Sequence, residues 1–148
     1  FTIEGNSTLM KSTNGAVEVY TELTGHDPKG FNEGWMMPKA ATDWIEQHIA
    51  KGSNVLEFGS GDGSEGLARR YNLHSIEHDP AYIGKTKSNY IHASIVENRS
   101  STVNGEQGWY DPEVFNKIPE SVELIIVDGP PGEIGRSGLL EHLHLMPD

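Results

Sequence analysis

The chain has 148 residues, a net charge of −11 and no cysteine. Its length suits one domain, and an apolar fraction of 35% is enough for a hydrophobic core. The charge argues against broad binding to nucleic acid or to an anionic membrane, both of which depend on clustered Lys and Arg, and the lack of cysteine excludes disulfides, a thiolate nucleophile and a cysteine-ligated metal.

Nothing in the sequence resembles a membrane span or a secretory signal. No apolar run reaches the roughly 18 to 20 residues that a bilayer span needs, and residues 1–5 lack the basic and apolar regions of a signal peptide. We therefore expect a soluble, cytoplasmic protein. We also expect residues 1–148 to form a single domain, with a hairpin and a loop over residues 1–34 and a core over residues 35–148.

The first predicted element is a β-hairpin. Residues 8–11 and 16–20 flank Asn14-Gly15, a dipeptide that is typical of tight hairpin turns. We expect this hairpin to cover an edge of the core or to contact a second subunit, and a lid over a ligand is the alternative. Residues 25–34 are rich in Gly, Asp, Asn and Pro and predict a loop.

The core is predicted to begin with a helix over residues 39–51, because apolar residues recur there at helical spacing and Gly52 can end it. The inward positions of this helix are Ala41, Trp44, Ile45, His48 and Ile49. A strand over residues 55–58 follows and leads into a loop that contains Gly59, Gly61 and Gly63. A helix over residues 64–71 comes next, with Ser64 as a candidate N-cap.

Three further strands are predicted over residues 73–77, 90–96 and 122–127, and the last of them is expected to be buried on both faces. Asp111-Pro112 predicts the start of a helix that reaches about residue 117. A last helix is predicted over residues 138–145. Residues 97–108 are polar and predict a loop that is mobile or close to a ligand.

Strands that alternate with helices predict an α/β fold with a doubly wound, mostly parallel sheet. Ligands of such sheets bind at the carboxyl ends of the strands, where the glycine loop, Glu77 and Asp128 fall. Glu77 stands 20 residues after Glu57, a spacing at which an acid can accept hydrogen bonds from both ribose hydroxyls of an adenosine, whereas an exposed strand-end acid is the alternative. Residues 61–66 also match the dinucleotide fingerprint.

Three segments resemble the first, second and fourth motifs of class I S-adenosylmethionine-dependent methyltransferases. They are Glu57-Phe58-Gly59-Ser60-Gly61-Asp62-Gly63, Ser75-Ile76-Glu77-His78-Asp79 and Ile126-Val127-Asp128-Gly129-Pro130-Pro131. The last is similar to the Asp-Gly-Pro-Pro form of small methyltransferases whose substrate is unassigned. The resemblance covers about residues 35–145, which would then form a cofactor-binding core, and it depends on the order and spacing of the motifs.

The resemblance implies a role for each matched residue. Gly59 and Gly61 would pass close to the methionine and ribose portions of S-adenosylmethionine, in a loop that also contains Ser60 and Gly63. Glu57 would support the amino end through the loop or a water, Glu77 would take the ribose hydroxyls, and His78 would lie near the adenine edge, although a solvated loop histidine is nearly as good an interpretation. Ser94 stands where the family usually has an acidic or amide residue for the adenine amino group.

Asp128 is the residue that the resemblance places near the transferred methyl group. A carboxylate there could orient the acceptor, take its proton or bind a metal, and a structural cap on the strand end is the alternative. We predict no dedicated metal site. Other candidate bases are His92, His142 and His144, each of which is more often an ordinary surface or packed histidine.

Two other features carry open alternatives. Arg136 either binds an acidic acceptor or is a solvated arginine, and the second is the expectation. Trp109 and Tyr110 either cover the adenine or acceptor or anchor the next helix.

The family fold has seven strands, whereas this chain has four strong candidates and stops at Asp148. We therefore expect a methyltransferase fold that is truncated after the fourth main strand: either a fragment, or a reduced domain completed by the N-terminal hairpin or by a partner subunit, such as a second copy in a homo-oligomer. The predicted function is methyl transfer from S-adenosylmethionine to a small-molecule acceptor, with no nucleic-acid or membrane partner. An NAD-dependent oxidoreductase and a non-catalytic nucleoside-binding or structural module are the alternatives.

Overall fold

The computed structural model describes residues 8–13, 16–21, 37, 39–97 and 108–147. Its strands are β1 (Thr8–Thr13), β2 (Ala16–Thr21), β3 (Asn54–Phe58), β4 (Asn72–Glu77), β5 (Asn89–His92), β6 (Ile95–Glu97), β7 (Gly108–Tyr110) and β8 (Leu124–Val127). Its α-helices are α1 (Lys39–His48), α2 (Ser64–Arg70) and α3 (Gly138–Glu141). Two short 3₁₀ helices cover Pro112–Asn116 and Leu143–Leu145.

The main sheet has the strand order β2-β1-β8-β3-β4-β5, and β6 pairs with β7 in a separate antiparallel ribbon. Strands β8, β3, β4 and β5 are parallel, which confirms an α/β fold with a mostly parallel sheet. The chain runs outward from β3 through β4 to β5 and then returns to β8 on the opposite side of β3. The order therefore reverses between β3 and β8, and such reversal points are where open α/β sheets bind ligands.

The predicted N-terminal hairpin is present at the edge of this sheet. β1 pairs with β2 in antiparallel register, and its other edge pairs with β8, where Leu9 lies opposite Ile126. The hairpin thus covers an edge of the sheet, which is one of the two roles that the sequence predicts for it, and it extends the parallel sheet beyond β8. The turn at residues 14–15 and the loop predicted over residues 25–34 lie outside the described residues.

Successive side chains of a strand point to opposite sides of the sheet, so each strand contributes to both faces. Both faces of the parallel sheet are covered. Helices α1 and α2 cover one face, in a cluster formed by Ala41, Ile45, Ile49, Val55, Leu67, Tyr71, Leu73, Leu124 and Ile126. The other face is covered by the β6–β7 ribbon, the first 3₁₀ helix and α3, in a cluster that includes Leu56, Phe58, Ile76, Trp109, Tyr110, Val114, Ile125, Val127 and Leu139. All four residues of β8 are buried, as predicted.

The strand predicted over residues 90–96 is divided into two. β5 continues the parallel sheet as far as His92, whereas β6 leaves the sheet and pairs with β7. At the break, Ala93 N donates to Glu77 O at 3.0 Å, and Asp111 N donates to Ser94 O at 2.9 Å. The second bond fixes the crossing from β5 to the ribbon, and it joins residues that are distant in sequence.

Several predicted boundaries also need correction. The first helix ends at His48 rather than at residue 51, and the His48 side chain is exposed and stacks on Trp44 with ring centroids 4.4 Å apart. Ser64 is the first residue of α2 and not its cap, since Gly63 occupies the N-cap position without a side-chain hydrogen bond. The helix predicted over residues 138–145 is interrupted at His142.

The segment after Asp111 is a 3₁₀ helix rather than an α-helix, but its predicted cap is confirmed. The Asp111 carboxylate accepts a hydrogen bond from Glu113 N at 3.0 Å, and Val114 is buried. Most of the polar stretch predicted as a loop, residues 98–107, lies outside the described residues. Among the helices that the structure describes, none is long and apolar enough to cross a bilayer.

Candidate functional site

The loops that follow β3 and β8 touch each other at the reversal point of the sheet. We call residues 59–63 the glycine loop and residues 128–132 the proline loop. Gly59 has φ +88°, and a Cβ atom placed on it would lie 2.7 Å from both Cα and N of Gly129. The same construction at Gly61 meets no atom within 4 Å. Gly59 is therefore required by the contact between the loops, whereas Gly61 borders open space.

Glu77, at the end of β4, joins that strand to the glycine loop. Its side chain is buried, with 3% of the residue exposed, so the alternative of an exposed strand-end acid is wrong. Oε2 accepts a hydrogen bond from Ser60 N at 2.7 Å, and Oε1 accepts from His78 N at 2.7 Å and Asp79 N at 2.8 Å. Since a carboxylate has about four acceptor positions, these three bonds leave one position on Oε2.

His78, His92 and Ser94 lie along the adjoining strand ends. His78 Nδ1 is 3.0 Å from Glu77 Oε1, although its direction is not that of a hydrogen bond, and the side chain is about one quarter exposed. His92 is exposed and its Nε2 donates to His78 O at 3.1 Å. Ser94 is exposed at the break after β5. His78 is thus partly buried rather than fully solvated.

Glu57 is a second buried carboxyl group and lies beneath the glycine loop. Ser75 Oγ donates to its Oε1 at 2.5 Å, and the Ser64 hydroxyl also bonds to it. Burial raises the pKa of Glu57 to about 7, which outweighs the lowering by the two serine hydroxyls, and the nearby carboxylates of Asp128 and Glu77 raise it further. At neutral pH this group is therefore shared between its neutral and its charged form.

Hydroxyl groups connect the glycine loop to the sheet, and two of them, those of Ser75 and Tyr90, have no role in the interpretation of the sequence. Ser64 Oγ accepts from Gly61 N at 3.0 Å, and Ser60 Oγ lies 3.0 Å from the Tyr90 hydroxyl and 3.3 Å from Ser64 Oγ. Ser75 lies opposite Glu57 in the parallel pair β3–β4. A polar residue within a predicted strand is visible in the sequence, so Ser75 could have been found there. No comparable pattern marks Tyr90.

Arg136 holds the proline loop. Its Nη2 donates to Asp128 O at 2.6 Å and its Nε donates to Pro130 O at 3.1 Å, while Nη1 lies 3.5 Å from Asp128 Oδ1. The Arg136 side chain is 27% exposed, so the expectation of a solvated arginine is wrong. The Asp128 side chain is 39% exposed beside it. One guanidinium therefore fixes both the loop backbone and the carboxylate that the sequence places at this strand end.

Arg136→Ala is expected to lower the free energy of unfolding by about 2 kcal/mol, because two carbonyl oxygens lose charged donors. Arg136→Lys should recover little of this, since one ammonium group cannot reproduce the planar fork. Urea unfolding measures both effects. Arg69→Ala is the matched control: Arg69 is 74% exposed and pairs with Glu65 along its own helix, so its loss should change stability by less than about 0.5 kcal/mol. Equal losses of stability at the two arginines would contradict the role of Arg136 in holding the proline loop.

Trp109 and Tyr110 belong to the core, which supports the anchoring alternative for both rings. The centroid of the Phe58 ring is 5.4 Å from that of Trp109 and 5.7 Å from that of Tyr110. The Trp109 Nε1 and Tyr110 hydroxyl groups are nevertheless buried without a hydrogen-bond partner among the described residues.

The two histidines near the chain end have ordinary environments. His142 stacks on Phe115 with ring centroids 5.5 Å apart, and its Nδ1 donates to Gly138 O at 2.8 Å. His144 is exposed. Among the described residues there is no group of three or more His, Cys, Asp or Glu that could hold a metal ion.

The fold thus brings together the glycine loop, Glu57, Glu77, Asp128, Tyr110 and Arg136, and it leaves Ser94, His92 and His144 on exposed positions. The result is a site with three carboxyl groups, one guanidinium and a stretch of unobstructed backbone. Comparison of the chain with protein-family models, with curated protein sequences and with solved structures finds no significant match. The case for a function therefore rests on the residues of this site and on the resemblance of its motifs.

Proposed function

We propose that the chain binds S-adenosylmethionine and transfers its methyl group to a small-molecule acceptor, with the Rossmann-like fold of class I methyltransferases. The observation that carries the proposal is the hydrogen bond from Ser60 N to Glu77 Oε2, at 2.7 Å. This bond joins the glycine loop to a buried acid at the neighbouring strand end, beside the reversal point of the sheet. A nucleoside that contacts one of these elements would contact both.

The charge and the space at the site suit this ligand. S-adenosylmethionine supplies a methyl group on a positively charged sulfonium, and Glu57, Glu77 and Asp128 create a negative potential that favours a cation. Gly61 offers backbone with no side chain in the way, and the remaining acceptor position of Glu77 Oε2 is available to one ribose hydroxyl. His78, beside Glu77, would border the adenine.

Asp128 would act on the acceptor. Its carboxylate is partly exposed and is held beside Arg136, so it has a defined position from which it can accept a hydrogen bond from an acceptor hydroxyl or amine. Holding the two reactants in line is the main requirement of a displacement of this kind. A base is needed only if the acceptor must lose a proton, and Asp128 would then take it.

Calorimetric titration with S-adenosylhomocysteine and, separately, with NAD tests the proposal. The chain is expected to bind S-adenosylhomocysteine and to bind NAD weakly or not at all. Binding of NAD alone would contradict the proposal in favour of an oxidoreductase, since the glycine loop also fits the dinucleotide fingerprint. Binding of neither would favour a non-catalytic module.

Glu77→Ala should weaken S-adenosylhomocysteine binding about 10- to 100-fold, because it removes a charged acceptor from the ribose and frees the glycine loop. Glu65→Ala is the matched control, as it removes from α2 a partly exposed carboxylate that pairs with Arg69 one turn along the same helix. Circular dichroism at the titration temperature checks that each variant is folded. An unchanged affinity in folded Glu77→Ala would show that the ribose assignment is wrong.

A further inference from the structure

The side chain of Ser60 attaches the glycine loop to two other elements of the fold. Three of the five residues of this loop are glycines, and of the other two, Asp62 is exposed whereas Ser60 is half-buried. Ser60 Oγ lies 3.0 Å from the Tyr90 hydroxyl on β5 and 3.3 Å from Ser64 Oγ on α2. Ser60 therefore joins a loop of small residues to a strand and to a helix.

Tyr90 stands two strands away from the strand that leads into the loop. The glycine loop follows β3, whereas β5 is separated from β3 by β4. The Tyr90 hydroxyl also lies 3.1 Å from Thr86 Oγ1, which accepts a hydrogen bond from Ser88 N at 3.3 Å. Through this hydroxyl, the loop at the reversal point of the sheet is connected to the segment that precedes β5.

The hydrogen bonds of these hydroxyl groups have one direction when Glu57 is charged, because each hydroxyl has a single proton to donate. Ser64 gives its proton to the Glu57 carboxylate. Ser60 must therefore donate to Ser64, and Tyr90 must donate to Ser60. Protonation of Glu57 permits these bonds to reverse together, and the same pairs of oxygen atoms then remain joined. The Ser60 hydroxyl thus has Tyr90 as a partner in both states.

Ser60 is held at its main chain as well as at its side chain. Its N–H donates to Glu77 Oε2 at 2.7 Å, and the open space beside Gly61 comes directly after it. The conformation of Ser60 therefore sets both the position of the loop against Glu77 and the shape of the open side of the loop. A loop that is already held in its binding conformation does not have to be ordered when the ligand arrives, and this raises the affinity.

We propose that Tyr90 is a positioning residue of the binding site, whose hydroxyl holds Ser60 and thereby keeps the glycine loop in the conformation that takes the ligand. This inference rests on the proposed function. Tyr90 acts through Ser60 and does not itself touch the ligand.

Tyr90→Phe removes the hydroxyl alone and tests the inference by calorimetric titration with S-adenosylhomocysteine. The affinity is expected to fall about 3- to 10-fold, as for the loss of one hydrogen bond that holds the loop. Tyr82→Phe is the matched control, because Tyr82 is exposed and contacts Lys85 through its ring, which phenylalanine retains, so the affinity should be unchanged. Circular dichroism at the titration temperature checks that each variant is folded.

Ser60→Ala and the double variant show whether Tyr90 acts through Ser60. Ser60→Ala is expected to lower the affinity by a similar factor. Adding Tyr90→Phe to Ser60→Ala should lower the affinity no further, since the Tyr90 hydroxyl then has no partner on the loop. A hydroxyl that supported only the fold would lower the Tm and leave the affinity of the folded protein unchanged.

Each other outcome overturns a defined claim. If folded Tyr90→Phe binds S-adenosylhomocysteine as tightly as the unchanged protein does, Tyr90 does not position the loop, although the proposed function stands. If the losses of the two single variants multiply in the double variant, Tyr90 acts independently of Ser60 and the inference is wrong. If the unchanged protein does not bind S-adenosylhomocysteine, the proposed function fails and this inference fails with it.

Discussion

Gly59→Ala is expected to lower the free energy of unfolding by about 2 to 5 kcal/mol, the sum of left-handed backbone strain and overpacking. Gly59 has φ +88°, a conformation that costs an L-residue free energy because its Cβ approaches the backbone. The added Cβ would also stand 2.7 Å from Gly129 Cα and N, which are main-chain atoms and cannot rotate away. The glycine loop and the proline loop would have to separate.

Gly61→Ala is the matched control in the same loop. Its Cβ would meet no atom within 4 Å and its φ lies outside the left-handed range, so urea unfolding should show a change of less than about 1 kcal/mol. Under the proposed function the same substitution should weaken S-adenosylhomocysteine binding, because the methyl group would enter the open space beside the loop. Equal stability losses at the two glycines would contradict the close approach at Gly59.

The sequence identifies the parallel sheet because its strands are continuous apolar runs. Val55, Leu56 and Phe58 in β3, and all of Leu124–Val127 in β8, are buried because both faces of the sheet are covered, so the pattern and the packing agree. The strand ends then place Glu77 and Asp128 at one edge. This part of the site depends on local runs and on a general rule of parallel sheets, and both are readable from one sequence.

The other part depends on contacts between distant segments. The break at Ala93-Ser94 occurs because β6 pairs with β7 across a stretch of polar residues, and nothing near the break in sequence specifies that partner. Arg136 looks like a surface residue until the fold brings the carbonyl groups of Asp128 and Pro130 to it. The hydroxyl of Tyr110 is unusual only because it is buried and none of the described residues offers it a hydrogen-bond partner.

The ionisation of Glu57 likewise cannot be predicted from the sequence alone. It leads to the second large expected effect, a dependence of stability on pH. A glutamate in a strand next to a glycine loop is visible in the sequence, but its ionisation depends on burial among Ser64, Ser75 and two other carboxylates. The pKa of Glu57 is raised from 4.5 to about 7, so between these pH values the folded protein binds more protons at this residue than the unfolded chain does. The stability that the protonated group provides is complete below pH 4.5 and is lost as the pH rises through about 7.

Glu57→Gln should remove this pH dependence, because an amide of the same shape does not titrate and can still bond to both serines. Since each pKa unit corresponds to about 1.4 kcal/mol, the variant should gain up to about 3 kcal/mol relative to the unchanged protein between about pH 5 and about pH 8. Urea unfolding at several pH values measures the difference. Glu120→Gln, at an exposed carboxylate, is the control and should show a nearly constant difference. A constant difference for Glu57→Gln as well would mean that Glu57 is charged in the folded protein throughout this range. Burial would then not raise the pKa of Glu57, and the site would carry its full negative charge at neutral pH.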